Sequence, residues 1–306
     1  MKLSISSGGV RKAAGERMFL LMKECGFDAC DLDLASAHGK TDAALRAYCK
    51  RIRTLADEAG IEIGQTHAGF AHPRDVGDDW KLVVEQAIDA IKATGYLGVK
   101  YCVVHPVRFP GRVNNKFVEE NYKKAIEFYA KLIPYLEEYD VVCCLENMWD
   151  RDPYFNRICA TILSRATEMA RMCDDLNAMA PGRFAICVDT GHGELTQDPA
   201  PEMLRICGNR VKVLHCHDTD GISDLHTIPY SVHGKPAGTD PIRTDWADVM
   251  HALKEIGYEG TLNFEVNVPD PAPIVPAGMR YLAKIGNYFL DLYENYDPNA
   301  PKEVEQ

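Results

Sequence analysis

The sequence lacks the features that define several common classes of protein. It has no apolar run near the roughly 18 residues that a membrane span requires. It is also short of basic residues, with 34 lysines and arginines against 45 aspartates and glutamates. The resulting formal charge of −11 repels phosphate backbones and anionic surfaces. We therefore expect neither a nucleic-acid partner nor a membrane partner.

The cysteines predict free thiols rather than disulfides or a structural zinc site. Their number, eleven, is odd, and no C-x-x-C pair occurs. Several of them, such as Cys102, Cys143 and Cys187, lie within apolar runs, where a thiol behaves as a small hydrophobic group. Residues 1–5 lead directly into a strand-like segment, which leaves no room for a signal peptide. We therefore expect a reduced, cytoplasmic protein.

Short apolar segments alternate with longer helical patterns along the whole chain. The predicted strands are residues 2–6, 29–34, 61–66, 99–104, 141–146, 184–189, 211–215 and 261–266. Helical patterns include residues 42–59, 80–95, 118–139, 157–179, 200–207, 245–256 and 275–296. Such alternation indicates parallel strands joined by helical crossovers.

Eight strand–helix units predict an α/β fold, a single (β/α)8 TIM barrel over residues 1–296 with a C-terminal tail at 297–306. An open dinucleotide-binding sheet is disfavoured because its fingerprint is missing. The first strand is followed by Ser7-Gly8-Gly9 and not by G-x-G-x-x-G,.

Ionisable side chains stand at the ends of six consecutive predicted strands, from the third to the eighth: His67, His105, Glu146, Asp189, His215 and Glu265. Active sites of such barrels lie at the C-terminal ends of the strands. Side chains also alternate along a strand, so Glu146 shares a face with Cys144. Carboxylates at strand ends can instead cap amides or pair with basic groups, but an unbroken ring of six favours a common pocket.

Four members of this ring are candidate metal ligands, namely Glu146, Asp189, His215 and Glu265. Carboxylates combined with imidazole suit manganese, cobalt, zinc or iron, whereas a cysteine-rich set would indicate structural zinc. The two glutamates can also act as acid and base, because a metal and partial burial separate their protonation behaviour.

Four short motifs carry a family resemblance: Leu145-Glu146-Asn147, Val188-Asp189-Thr190-Gly191-His192, His215-Cys216-His217-Asp218 and Asn263-Phe264-Glu265. They resemble the sugar phosphate isomerase/epimerase family, part of the xylose isomerase-like TIM barrel superfamily. The resemblance covers essentially the whole chain. Its motifs are specific for the superfamily and weak for the substrate.

The resemblance implies roles for particular residues. Glu146, Asp189, His215 and Glu265 match the ligands of one divalent metal ion, manganese first, with zinc, cobalt or magnesium as alternatives. Glu146 and Glu265 also match the two catalytic acid/base carboxylates, and His192 matches a substrate-contacting histidine. We further expect a small sugar as substrate and a homo-oligomeric enzyme.

Other residues near the ring are predicted to bind substrate: His67, His105, Trp149, His217 and His226. His217 has a second interpretation, a hydrogen bond to a neighbouring strand-end carboxylate. Trp149 is either a core residue or a wall on which a sugar stacks.

The same histidines leave a multi-zinc alternative open. The superfamily's apurinic-site endonucleases hold three zinc ions, and all nine liganding positions have matches here: His67, His105, Glu146, Asp189, His192, His215, Asp224, His226 and Glu265. The acidic charge, and the lack of a basic segment interleaved with aromatic residues, argue against a DNA enzyme.

The sequence therefore predicts a divalent-metal-dependent isomerase or epimerase that acts on a ketose or keto-polyol. One glutamate would remove the proton next to the carbonyl, the metal would stabilise the enediolate, and the other glutamate would return a proton. A lyase that expels a hydroxyl or an aglycone from the same enolate is an alternative within the fold. A binding subunit whose ring only holds an ion is an alternative of another class.

Overall fold

The computed structural model describes residues 1–69, 80–107, 118–152, 154–231, 244–268 and 272–297. The strands in these ranges are β1 (Leu3–Ser6), β2 (Ala29–Asp33), β3 (Glu62–His67), β4 (Tyr101–Val104), β5 (Val142–Glu146), β6 (Trp149–Arg151), β7 (Ile158–Ala160), β8 (Phe184–Asp189), β9 (Val211–His215) and β10 (Leu262–Phe264). Eight of them form one parallel sheet in the order β10-β1-β2-β3-β4-β5-β8-β9.

The sheet closes into a barrel between β9 and β10. Cys216 forms a parallel bridge with Phe264. The Cys216 amide donates to the Asn263 carbonyl at 2.8 Å, and the Glu265 amide donates to the Cys216 carbonyl at 3.2 Å. The order of the strands and this closure confirm the predicted TIM barrel.

Helices follow the barrel strands and cover the outside of the barrel. They are α1 (Ser7–Ala14), α2 (Met18–Glu24), α3 (Asp42–Ala59), α4 (Lys81–Tyr96), α5 (Val118–Ala130), α6 (Ile133–Glu138), α7 (Ala166–Met179), α8 (Thr190–Leu195), α9 (Ala200–Cys207), α10 (Trp246–Glu255) and α11 (Val275–Asn295). Within the described ranges, none of these helices has the length and apolarity needed to cross a membrane.

Two predicted helices differ from the structure. The pattern at 118–139 is divided into α5 and α6, because Pro134 stands in the first turn of α6 and cannot donate a backbone hydrogen bond to a preceding turn,. The start of the 157–179 prediction is wrong, since residues 158–160 are strand β7, antiparallel to β6, and the helix begins only at Ala166. A short apolar run is compatible with the periodicity of a helix and with that of a strand. Beyond Asp297, the predicted tail lies outside the described residues.

The interior of the barrel is apolar on one side and polar on the other. Strands β4, β5, β8 and β9 supply Val103, Val142, Cys144, Ala185, Cys187 and Val213. Strands β1, β2, β3 and β10 supply the buried polar residues Ser4, Asp31, Gln65 and Asn263. All eleven cysteines are free thiols, and ten of them are buried. The polar half lies directly beneath the C-terminal ends of β1, β2 and β10.

Glu168 in α7 makes stability depend on pH. Burial raises the pKa of its carboxyl from the usual 4.5 to about 7, and its Oε1 has no hydrogen-bond partner among the described residues. Its folded pKa exceeds its unfolded pKa, so stability is fully present below pH 4.5 and declines as the pH rises through 7. We expect Glu168→Gln to stabilise the protein by about 1 to 3 kcal/mol at pH 8 and to change little at pH 4.5.

Thermal unfolding at the two pH values measures this effect. Glu127→Gln, on the exposed face of α5, is the matched control and should leave Tm unchanged at both. Equal shifts of Tm at both pH values in Glu168→Gln would show that packing, and not ionisation, is responsible.

Candidate active site

The six predicted strand-end residues all lie at the C-terminal mouth of the barrel. His67, Glu146, Asp189 and His215 are the last residues of β3, β5, β8 and β9, and His105 and Glu265 directly follow β4 and β10. The parallel arrangement brings these ends to one rim, so side chains far apart in sequence come within contact distance of one another.

Glu146 is the centre of a group of histidines. Its Oε1 lies 3.0 Å from His215 Nδ1, and its Oε2 lies 2.8 Å from His105 Nε2 and 3.5 Å from His67 Nε2. Burial raises the pKa of Glu146, but the charges and hydrogen bonds of His215 and His105 outweigh it and hold this pKa well below its usual range. Glu146 is therefore ionised at neutral pH although it is only 1% exposed.

Glu265 approaches the same imidazole from another strand. Its Oε2 lies 3.0 Å from His215 Nδ1, so two carboxylates converge on one nitrogen atom. On the other side of the ring, Nε2 lies 3.1 Å from Asp31 Oδ2. Burial lowers the pKa of His215, yet its acidic neighbours raise it well above the usual value. The carboxylates around His215 thus favour a positive charge at this point of the site.

Glu146, Asp189, His215 and Glu265 fit a divalent metal ion. They offer ligand atoms that all lie within 4.8 Å of one another. Three carboxylates and one imidazole form a donor set for a hard or borderline divalent cation. Such an ion would also supply the positive charge that this group of carboxylates otherwise draws from protonated histidines.

A second group of ionisable residues adjoins the first: His192, His217, Asp224 and His226, whose ligand atoms also lie within 4.8 Å of one another. Asp224 lies 3.3 Å from His192 Nε2 and 3.2 Å from His226 Nε2. Burial lowers the pKa of both imidazoles, but carboxylates, including Asp224, raise the pKa of His192 to about 10 and that of His226 to about 9.

His217 and Trp149 connect this second group to its surroundings. His217 Nε2 lies 3.0 Å from Asp189 Oδ1, so the ring binds a strand-end carboxylate, as its second interpretation expected. Trp149 in β6 is half-buried, and its ring centroid lies 6.4 Å from that of His192. The indole is therefore at the site, and its contact with a sugar stays a prediction.

Sequence reasoning missed Asp31, whose neighbour Asp33 also lines the site. Asp31 stands in the middle of β2 and is 1% exposed. The signal was present, because an acidic residue within an apolar strand must be buried, and a buried carboxylate needs a specific partner. Asp31 lies in the middle of its strand, so the pattern of ionisable residues at strand ends does not include it.

A cavity of about 460 Å³ opens over the β1–β3 side of the mouth. Its lining consists of Ser6, Gly8, Gly9, Asp31, Asp33, Ala35, His67, Ala68, Gly69, His226, Glu265, Val266 and Asn267. Its volume is within the range of small-molecule sites. No lysine or arginine occurs among these lining residues, which belong to the described ranges.

Gly191 allows the start of α8 to approach His217 closely. A Cβ atom at this position would lie 2.0 Å from His217 Cε1, which is far inside van der Waals contact. We expect Gly191→Ala to displace the ring that contacts Asp189 and to destabilise the fold by about 1 to 3 kcal/mol. Thermal unfolding measures the loss.

Gly9→Ala is the control for this substitution. Gly9 also lies in a helix at the cavity, but its added Cβ would meet only Val268 Cγ2 at 3.5 Å, an ordinary contact. Its Tm should stay the same or rise slightly, because alanine favours a helix over glycine. Equal melting temperatures for the two variants would contradict the steric argument.

Comparison with known proteins defines the class. A family model described as xylose isomerase-like TIM barrel matches residues 19–285. The chain therefore belongs to the xylose isomerase-like TIM barrel family, which confirms the family expected from the motifs.

Individual relatives are distant. An uncharacterized protein of Methanocaldococcus jannaschii is 27% identical over 247 residues, covering 79% of this chain and 75% of that protein. The crystal structure of D-psicose 3-epimerase in the presence of D-fructose superposes with a TM-score of 0.71 at 15% identity, over 95% of this chain and 99% of the other. The IolI protein with a binding zinc atom gives 0.68 at 16% identity, over 97% and 100%. At these identities, the likeness to the two solved structures establishes a shared fold.

Proposed function

We propose that the protein is a divalent-metal-dependent isomerase or epimerase of a ketose or keto-polyol. The observation that carries this proposal is the convergence of Glu146 and Glu265, each 3.0 Å from His215 Nδ1. Two acid/base groups from different strands thus flank one point at the mouth of the barrel. The sugar epimerase among the structural neighbours and the zinc atom in IolI agree with this chemistry.

Glu146, Asp189, His215 and Glu265 would hold the ion. When bound, the ion supplies positive charge beside the carbonyl oxygen on which negative charge develops during proton abstraction. Manganese remains our first expectation, with zinc, cobalt or magnesium as alternatives. The three carboxylates stand at the ends of three strands, so the ion would lie at the rim of the barrel that the substrate approaches.

The two glutamates perform the proton transfers. One carboxylate takes the proton from the carbon next to the carbonyl, and the other returns a proton to the same carbon from the other side or to the neighbouring carbon. His105 and His67 contact Glu146 Oε2, and His215 contacts Oε1, so both oxygens of this carboxylate are held in place. Glu265 lines the cavity directly.

The charge of the cavity favours an uncharged substrate. Asp31, Asp33 and Glu265 line it, and basic groups are missing from the lining within the described ranges. A sugar phosphate would therefore meet carboxylates without a compensating cation. Hydroxyl groups, in contrast, can donate hydrogen bonds to these carboxylates. His192, His217, His226 and Trp149 would contact the remainder of the sugar.

Proton exchange with solvent tests this function. Metal-loaded protein is incubated in D2O with a panel of unphosphorylated ketohexoses, pentuloses and inososes, and NMR records deuterium at the carbon next to the carbonyl. We expect exchange together with formation of an epimer or an aldose–ketose isomer. A panel without any exchange, at a confirmed metal content of one per chain, would contradict the proposal.

Assays on the same metal-loaded protein distinguish two other functions from an isomerase. A lyase would exchange the same proton and then give an unsaturated product, which mass spectrometry detects as loss of water or of an aglycone. A multi-zinc phosphodiesterase is suggested by the second group of potential ligands at Asp224, and it would cleave abasic DNA. The homo-oligomeric state and the cytoplasmic location stay predictions from the sequence.

A further inference from the structure

Asp31 is a buried carboxylate for which the proposed proton transfers have no use. It occupies the third position of β2 with its side chain in the polar half of the barrel interior. Its Oδ2 lies 3.1 Å from His215 Nε2. It does not belong to the four ligand candidates, so its place against the imidazole needs a separate explanation.

The two nitrogens of His215 face different surroundings. Nδ1 faces Glu146 and Glu265 at 3.0 Å each, whereas Nε2 faces Asp31 Oδ2 at 3.1 Å. An imidazole that binds a metal ion is neutral, so it carries one N–H and its other nitrogen offers the lone pair. If Nε2 holds the proton and donates it to Asp31, the lone pair of Nδ1 points towards the carboxylates, where it can bind an ion. The opposite tautomer would place the Nε2 lone pair against the negative Oδ2.

Further buried hydrogen bonds fix Asp31 from below. Ser6 Oγ donates to Oδ2 at 3.3 Å, and Asn263 Nδ2 donates to it at 3.4 Å. Ser4 Oγ in turn donates to Asn263 Oδ1 at 2.8 Å, which fixes the amide with its nitrogen towards Asp31. A chain of hydrogen bonds therefore runs from the interior of the barrel through Asp31 to His215.

Stability of the barrel does not explain this carboxylate. Its second oxygen, Oδ1, is buried and has no hydrogen-bond partner among the residues that the structure describes. A buried acceptor without a partner destabilises a fold. A neutral residue of similar size would therefore be tolerated at least as well by the fold itself.

We propose that Asp31 is a positioning residue that holds His215 in the Nε2–H tautomer, with Nδ1 directed towards the metal site. Histidine ligands of metals commonly donate their other N–H to a carboxylate, which sets the tautomer and strengthens the ligand. The inference rests on the metal site of the proposed function. It does not depend on which sugar is converted.

Binding of Co²⁺ alone tests the inference without any substrate. Metal-free wild type and Asp31→Asn are titrated with Co²⁺ by calorimetry, and the visible absorption of the bound ion reports its ligand set. We expect Asp31→Asn to weaken Co²⁺ binding by about 10- to 100-fold and to alter the spectrum, because the asparagine amide can donate to Nε2 and stabilise the wrong tautomer. The Tm of the metal-free variant should equal or exceed that of wild type.

Asp33→Asn is the matched control, since it removes the same charge from the same strand and cavity. Asp33 Oδ1 accepts from the Ala35 amide at 2.6 Å and is not a partner of His215. It should change Co²⁺ affinity by less than about threefold.

Three results would overturn the inference. Equal losses of affinity in both variants would show a general charge effect. Wild-type affinity in Asp31→Asn, or a lowered Tm of its metal-free form, would contradict the positioning role. A wild type that binds no Co²⁺ would reject the metal site and the inference together, whereas metal binding without sugar turnover would reject only the proposed reaction.

Discussion

Glutamine in place of Glu146 or of Glu265 is expected to reduce kcat by at least about a hundredfold, because general acid–base groups contribute about 10² to 10⁴ to a rate. Each side chain combines two tasks that an amide performs poorly, exchange of a proton and ligation of a cation. Turnover of the best ketose or keto-polyol from the exchange panel measures the loss.

The two variants separate the two tasks when metal content is measured beside turnover. Glu146 is almost fully buried against His105 and His215, whereas the side chain of Glu265 is 26% exposed and lines the cavity. Glu127→Gln on the outer face of α5 controls for the loss of one negative charge. Activity within about threefold of wild type in both site variants would contradict the acid/base assignment.

Much of the barrel is predictable because its signals are local. Each strand is a short apolar run, and α3 is bounded by Thr41, whose Oγ1 accepts from the Ala44 amide at 3.4 Å, and by Gly60 at a φ of 68°. The hairpin of β6 and β7 was not predictable in this way. Its apolar residues fit a helix as well, and the antiparallel pairing of Trp149 with Ala160 is a contact between separate segments.

The site is predictable to the extent that it follows from topology. Strand ends of a parallel barrel share one rim, so Glu146, His215 and Glu265 could be expected to lie together. The partners of contacts that depend on side-chain direction could not be predicted from the sequence. The pairing of His217 with Asp189 and the place of Asp31 behind His215 require the twist and register of the closed sheet. The sequence indicates that Asp31 is buried and that His217 can bind a strand-end carboxylate, but it does not identify the partner of either residue.

Metal removal tests the centre on which both proposals depend. We expect exhaustive chelation to abolish turnover and to lower Tm by several degrees without unfolding the barrel. The ion would contact side chains at four strand ends, whereas the core is built by all eight units of the barrel. Binding at about 100 times Kd contributes about 2.7 kcal/mol, which is a modest share of the stability of a large domain. Circular dichroism, turnover and elemental analysis on one sample measure the three quantities.

The number of ions decides between the sugar enzyme and the multi-zinc alternative. With one ion per chain, His105→Ala should weaken substrate binding and leave the metal content near one, because His105 contacts Glu146 and is not itself a ligand. With three ions, His105 would be a direct ligand, and its loss should lower the content, as should His67→Ala and His226→Ala. A wild-type content near three that falls in His105→Ala, together with cleavage of abasic DNA, would replace the isomerase proposal. The isomerase proposal would be supported if Mn²⁺, added after chelation, restores both turnover and a metal content near one per chain. The acid/base glutamates act only when the cation stabilises the negative charge that proton abstraction creates on the substrate.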